Sequence, residues 1–267
     1  MTTRSESEQH RDTRHRQRVL FDGIAEQYDA ARPGYPAEVM DFVIATAGLG
    51  PDAAVLEIGC GTGQLTGWLV GSGFRVTAID IGPSMIAAAR QRLHGSGVSF
   101  LVTSFENLVA PDAAFDLVVS AAAFHWIDPE VAFSKSARLL RPGGWLALLG
   151  TDDRYDDPVG AALESLWISH GDTGGAWVRP SGPDAVSATG LFRTPVGLSV
   201  SRPAALSADD VIALETTRGT FLGWPDDTQR NFAADLRRLL DPQVIVQVTR
   251  HTSGTMAEVL RASGSGK

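Results

Sequence analysis

The run Val55-Leu56-Glu57-Ile58-Gly59-Cys60-Gly61-Thr62-Gly63 constrains this chain more than any other stretch. A short apolar segment of β-type residues breaks into alternating glycines and resumes as an amphipathic segment, Gln64 to Val70. That order reads as strand, tight loop and helix start. Glycines at 59, 61 and 63 carry no Cβ, so the loop can take left-handed dihedrals and its backbone can lie directly against a ligand.

The glycine spacing separates the ligand classes that use such a loop. A dinucleotide fingerprint G-x-G-x-x-G needs its third glycine at 64, where this chain has Gln64. Nothing basic lies in the loop to meet a pyrophosphate, and Glu57 favours a cationic ligand instead. Downstream, Arg75-Val76-Thr77-Ala78-Ile79-Asp80 reads as a second buried strand ending in a carboxylate. It comes about 20 residues past the first glycine, the place from which an acid grips ribose hydroxyls. The pair suits an adenosine bearing a positive sulfur.

VLEIGCGTG followed by VTAID resembles motifs I and II of the class I S-adenosylmethionine-dependent methyltransferases, and the resemblance runs from Phe21 to Gly150. It implies S-adenosylmethionine as cofactor and S-adenosylhomocysteine as product. It also implies an α/β fold: a doubly wound, seven-stranded, mostly parallel sheet of the Rossmann-like methyltransferase type, its last hairpin antiparallel. On the same footing, Glu57, Gly59, Cys60, Gly61, Gly63 and Asp80 hold the cofactor, and Ile81 and Met85 flank its adenine. Met85 fits a buried helix stripe equally well. Cys60 has no His or Lys nearby in sequence to activate it, so it reads as packing or adenosine contact. Ser104 stands where many such enzymes place an Asp for the adenine amino group. Ser104-Phe105-Glu106 nevertheless resembles the corresponding stretch of one small-molecule subgroup, and Phe105 supplies apolar contact to the ring.

The acceptor side is read from two further segments. Leu20, Phe21, Ile24 and Tyr28 lie at helical spacing and lead into Ala31-Arg32-Pro33-Gly34-Tyr35-Pro36. In the subgroup with an RP-x-YP segment, the resemblance implies that Tyr28, Arg32 and Tyr35 border the methionine end or the substrate. Taken alone, the residues equally fit a cap on the next helix with Pro36 at its first turn. The second segment follows a predicted fourth strand, Phe115 to Ser120, and runs Ala121-Ala122-Ala123-Phe124-His125-Trp126-Ile127-Asp128. Ala121 opens it at a strand's carboxyl end, where ligands sit in parallel sheets. The His-Trp pair resembles a loop of methyltransferases of the trans-aconitate and juvenile-hormone-acid type, in which the tryptophan helps to hold a substrate carboxylate. Tyr35, Phe124 and Trp126 are thus the substrate-facing candidates. An apolar loop packed on the helix beginning at Pro129 is the other reading of Trp126. His125 has the intrinsic pKa of a base for a hydroxyl or amine acceptor, whereas a carboxylate is already ionised.

The expected function is transfer of a methyl group to an oxygen, a carboxylate among the options, of a small-molecule metabolite. N- or C-methylation of a secondary metabolite, or of a protein or peptide carboxyl, are the alternatives. Net charge of −8 and pI near 5.2 argue against nucleic acid and anionic membrane as partners. No apolar run approaches the roughly 18 residues of a membrane span. Cys60 is the single cysteine, so neither an intramolecular disulfide nor a cysteine zinc cluster can form. A reducing, cytoplasmic setting is expected, with no metal; oligomeric state is not legible.

Residues 1–17 mix charges with Ser and Thr, include His10 and His15, and read as a disordered arm. A single domain is expected over 18–260 and a flexible tail over 261–267. Arg141-Pro142-Gly143-Gly144 reads as a turn before a fifth strand, Trp145 to Leu149. The segment 153–189, with Trp167, His170 and Trp177, reads as a substrate lid. Asp152, Asp153, Asp156 and Asp157 read as solvated loop carboxylates. Last come strands at Val196 to Arg202 and Val244 to Arg250, around a helical stretch Ala208 to Leu240 broken at Trp224-Pro225.

Overall fold

The computed structural model describes residues 19–172, 182–240 and 245–260. The proposed arm with His10 and His15, Trp177, Val244 and the tail lie outside the described residues. Seven strands form one sheet in the order β3-β2-β1-β4-β5-β7-β6. They are β1 Ala54–Ile58, β2 Arg75–Asp80, β3 Ser99–Val102, β4 Phe115–Ala121, β5 Leu140–Tyr155, β6 Val196–Leu206 and β7 Val246–Glu258. β1 to β5 pair in parallel, and β7 runs against both β5 and β6. β1 and β4 are buried along nearly their whole length, which is why they read as largely apolar runs, whereas β2 buries half of its residues.

The helices in chain order are α1 Ala25–Ala31, α2 Ala37–Ala47, α3 Gln64–Gly71, α4 Pro83–Arg92, α5 Pro129–Leu139, α6 Val159–Ser169, α7 Pro183–Ala188, α8 Ala208–Thr216, α9 Gly219–Leu222 and α10 Asp226–Leu239. Their limits follow local chemistry. Asp128 accepts the Glu130 N–H at 3.1 Å to start α5, and Ser207 and Asp210 form a capping box on α8. One face of the sheet buries Val55, Leu117, Val119 and Ala147 under α2, α3 and α4; the other buries Leu56, Val118 and Leu146 with Phe133 and Leu139 of α5. A third core forms where α6, α8, α9 and α10 close over the long ends of β5 to β7, with Trp167, Phe221, Phe232 and Val248 inside. This helical cap overhangs the carboxyl ends of β1 and β4.

The predicted turn at Arg141-Pro142-Gly143-Gly144 is instead the start of β5. A register shift between Phe115 and Leu117 lets the strand bulge there, and Arg141 pairs with the buried carboxylate of Asp116. β5 continues to Tyr155, so Asp152 and Asp153 are strand residues, and Asp153 is gripped by Arg250 through two 2.7 Å bonds. The break at Trp224-Pro225 is present, and a second falls at Thr217-Arg218 between α8 and α9. Among the described residues no helix is long and apolar enough to cross a membrane.

Candidate active site

Sheet order reverses between β1 and β4, and the loops that leave their carboxyl ends form the crevice where α/β folds take ligands. After β1, the N–H groups of Gly59 and Cys60 both donate to the Ile79 carbonyl, at 2.8 and 3.0 Å. Gly59, Gly61 and Gly63 take φ of 70°, 53° and 90°, values that β-carbon-bearing residues adopt at a cost. A Cβ on Gly59 would lie 2.3 Å from the Ala123 Cβ, because the loop after β4 is pressed against it. Ala122 in that loop holds φ 54° without being glycine, an observed backbone outlier in the crevice. Asp80 staples the loop after β1 to the loop after β2: Oδ2 accepts the Gly61 N–H and Oδ1 the Gly82 N–H, both at 2.9 Å. Burial pushes its carboxyl up in pKa, and those two N–H groups pull it back.

Two chambers meet over the glycine loop and share Tyr28, Gly59, Gly61, Ala121 and Ala122 as walls. The first holds Asp80, with Ile81, Met85, Phe105 and Ile127 forming an apolar slot closed by Phe21 and Trp126. The second holds Glu57, Cys60, Arg32 and Tyr35 on the sheet side and Asp153, Tyr155, Glu215 and Arg218 on the cap side. Each chamber encloses ≈ 110 Å³ and opens to solvent on one side. Glu57 is 1% exposed and accepts from Thr66 Oγ1 at 2.6 Å. Burial outweighs that bond and lifts its pKa to about 8. Burial also raises the pKa of the Tyr28 and Tyr35 phenols, which keeps both as neutral donors.

The residues fit an adenosyl sulfonium. Asp80 faces the first chamber with each oxygen using one N–H, which leaves acceptor capacity for a ribose diol. The slot beyond it is apolar and suits a flat ring. The second chamber begins at Glu57, a carboxyl that burial keeps protonated near neutral pH and that a bound cation would draw back to the ionised form.

Several candidates sit elsewhere. Gly63 starts α3 and packs on Ala89 and Leu93. Ser104 Oγ turns onto its own chain, accepting from Asn107 N at 3.2 Å, and Thr103 takes the chamber wall in its place. Glu106 accepts the Asp128 N–H and its carbonyl accepts from Lys135. Phe124 is buried against Phe133, ring centroids 5.1 Å apart. With His125 it lines a neighbouring cleft over Gly150, Gly197 and Ser253. Trp126 walls the Asp80 chamber rather than the second one, edge-on to Phe21 at 6.1 Å.

Residues 56–148 match the family model described as a methyltransferase domain. Over that stretch the chain carries a methyltransferase domain. An uncharacterized methyltransferase of Mycobacterium tuberculosis is 38% identical over 131 residues, covering 49% of this chain and 51% of that protein. A malonyl-[acyl-carrier protein] O-methyltransferase of Hahella chejuensis is 33% identical over 164 residues, 60% of this chain and 56% of that protein. The chain thus spans about half the length of the curated relatives it matches. Among solved structures, a candidate type II methyltransferase of Anaeromyxobacter dehalogenans shares the fold, with a TM-score of 0.60 at 23% identity over 86% of this chain and 99% of that one.

Two sets of residues in the candidate site escaped the sequence reading. Asp22 caps the start of α4, its Oδ1 accepting from Ser84 N at 2.6 Å and Met85 N at 3.2 Å. Tyr155, Glu215 and Arg218 form the cap wall. Glu215 is 1% exposed, accepts from Tyr155 Oη at 2.7 Å and Trp167 Nε1 at 2.8 Å, and forms an ion pair with Arg218, Nε 3.3 Å away. A signal existed: Val211, Leu214 and Glu215 share one stripe of α8, so an acid stands where apolar residues were due. Of the proposed lid, Asp153 and Tyr155 line the second chamber, whereas α7 buries Val186 on the opposite face of the sheet from α2 to α4. The lid residues 173–181 lie outside the described residues. His170, at the end of α6, ties the cap together through Asp235 at 2.8 Å.

Proposed function

We propose that this chain moves a methyl group from S-adenosylmethionine to a carboxylate oxygen of a small-molecule metabolite. The observation that carries the reading is the pair of joined chambers, one with an acid and an apolar slot, the other with Arg32, Arg218 and phenols beside the carboxyls of Glu57, Asp152, Asp153 and Glu215. When bound, the cofactor supplies an electrophilic methyl on a sulfonium. Asp80 would bind its ribose, Ile81, Met85 and Phe105 its ring, and Glu57 its cationic end. Tyr28, Gly59, Gly61 and Ala121 lie at the junction, so they would orient the acceptor in line with the methyl and exclude water from it. Positioning of this kind is worth on the order of 7–11 kcal/mol. A carboxylate is ionised at neutral pH and needs no base, so His125 in the neighbouring cleft receives no proton-transfer role.

Relatives named malonyl-[acyl-carrier protein] O-methyltransferases support an oxygen acceptor. The test is transfer of labelled methyl to a panel of acids, phenols and amines. Methyl esters of small acids are the expected products. Label confined to amines, to carbon, or to RNA or intact protein would overturn the reading.

A further inference from the structure

The apolar slot of the first chamber is bordered by polar atoms that the chain itself already uses. Asp80 carries the only carboxylate among the described residues that line it, and its two oxygens hold the Gly61 and Gly82 N–H groups. The main-chain acceptors are engaged too. The Ile79 carbonyl accepts two N–H groups, the Asp80 carbonyl accepts the Thr103 N–H at 2.8 Å, and the Phe105 carbonyl accepts the Leu108 N–H at 3.3 Å. Ile58 gives its carbonyl to Ser120 Oγ at 2.9 Å, and Thr103 Oγ1 donates to the Ser104 carbonyl at 3.3 Å. Next along the chain, Ser104 Oγ and Glu106 Oε1 accept the Asn107 and Asp128 N–H groups at 3.2 and 3.1 Å. The surfaces left for a ring are the side chains of Ile81, Met85, Phe105 and Ile127 and the closing rings of Phe21 and Trp126. Lys135 stiffens this wall from behind. Its ammonium donates to the Glu106 and Leu108 carbonyls at 3.0 and 2.7 Å and stands 5.3 Å from the centre of the Phe105 ring.

Such a slot offers much to the faces of a purine and little to an amine on its edge. Stacking against rings and a thioether is indifferent to what the edge carries. An amine drawn in without an acceptor loses its hydrogen bonds to water uncompensated, so the edge that bears it stays toward the side on which the chamber opens. We propose that the slot selects its nucleoside by the shape and stacking of a double ring and does not read the 6-amino group. Sulfonium donors built on a purine without that amine are then cofactors as well, a wider class than S-adenosylmethionine alone. The proposal rests on the cofactor reading above and extends it to the donors accepted. The transfer is the same for each of them. The acceptor oxygen bonds to the methyl carbon, the carbon–sulfur bond breaks, and its electron pair stays on sulfur, leaving a neutral thioether. A pyrimidine nucleoside is disfavoured because one ring covers less of the apolar wall.

The test is calorimetry on the full chain with three thioethers: S-adenosylhomocysteine, its analogue with hydrogen in place of the 6-amino group, and its uridine counterpart. The 6-hydrogen analogue is expected to bind within about threefold of S-adenosylhomocysteine, and the uridine compound about tenfold more weakly or worse. Thr103→Val should change both purine affinities by the same factor. A loss of about tenfold or more on removing the amine would show that the slot reads it and would overturn the proposal. Equal binding of the uridine compound would overturn it from the other side, since ring size would then count for nothing. A Thr103→Val chain weakened for S-adenosylhomocysteine alone would make the Thr103 hydroxyl the reader of the amine, with the same consequence. Failure of the wild-type chain to bind S-adenosylhomocysteine would instead overturn the methyltransferase reading beneath it.

Discussion

Glu57 is a carboxyl buried among apolar strands and held by one hydroxyl, and its protonation is coupled to folding. Its folded pKa is raised to about 8 from an ordinary value of 4.5. For a raised acid, the stabilising contribution is fully present below the unfolded pKa and is lost as pH climbs through the folded one. Burial shifts Asp80 in the same direction. Without cofactor, the thermal midpoint should therefore fall between pH 6 and pH 9, and Glu57→Gln should flatten that slope; an equal slope in both proteins would contradict it. A second residue-scale expectation concerns His125. Phe124, His125 and Trp126 form one 3-10 turn, which sends the indole to the Asp80 chamber and the imidazole to the neighbouring cleft. His125→Ala should leave turnover of an acid within a few-fold of wild type. A loss of roughly a hundredfold would restore a base role. Adjacent residues in a sequence pattern do not reveal which side of a turn each will take, so the pair read as one site.

At the scale of elements, the cover over the first chamber is built from the turn Phe21–Ile24 and α1, and it is fastened at both ends of α4. Asp22 caps the first turn of that helix, whose own N-cap position is Gly82, and Asp29 pairs with Arg92 near its last turn. Asp22→Ala should cost roughly 0.5–2 kcal/mol, the worth of a side-chain cap. It should also speed release of S-adenosylhomocysteine in stopped-flow displacement; an unchanged release rate would show that the cap does not hold the cover. The strand and loop elements were legible because their signals are local: glycines where φ is positive, an acid at the end of an apolar run, Pro at a helix start. β5 was not. Its early start depends on Asp116 of β4 holding Arg141, a pairing between strands that no pattern within 140–155 displays. Tyr155, Glu215 and Arg218 were missed for the same reason, since 60 residues separate Tyr155 from Glu215 and only the packing of the cap joins them.

For the whole molecule, the sheet supplies a crevice where its strand order reverses, and the helical cap converts that crevice into two joined chambers. The division of labour follows from where each part is attached. The glycine loop and Asp80 sit on rigid buried strands and suit the constant ligand, whereas Arg218 and Tyr155 sit on the cap and on the far end of β5 and suit the variable one. The family match over 56–148 covers the first part and stops before the second, as expected if the cap sets the acceptor. The most direct test of this account is calorimetry of the wild-type and Asp80→Ala chains with S-adenosylmethionine, S-adenosylhomocysteine and NAD. The account predicts that the first two bind and NAD does not, and that Asp80→Ala weakens binding by roughly 1.5–3 kcal/mol, as for a lost hydrogen bond to a charged group. Binding of NAD without binding of S-adenosylmethionine, or full affinity in the Asp80→Ala chain, would contradict it.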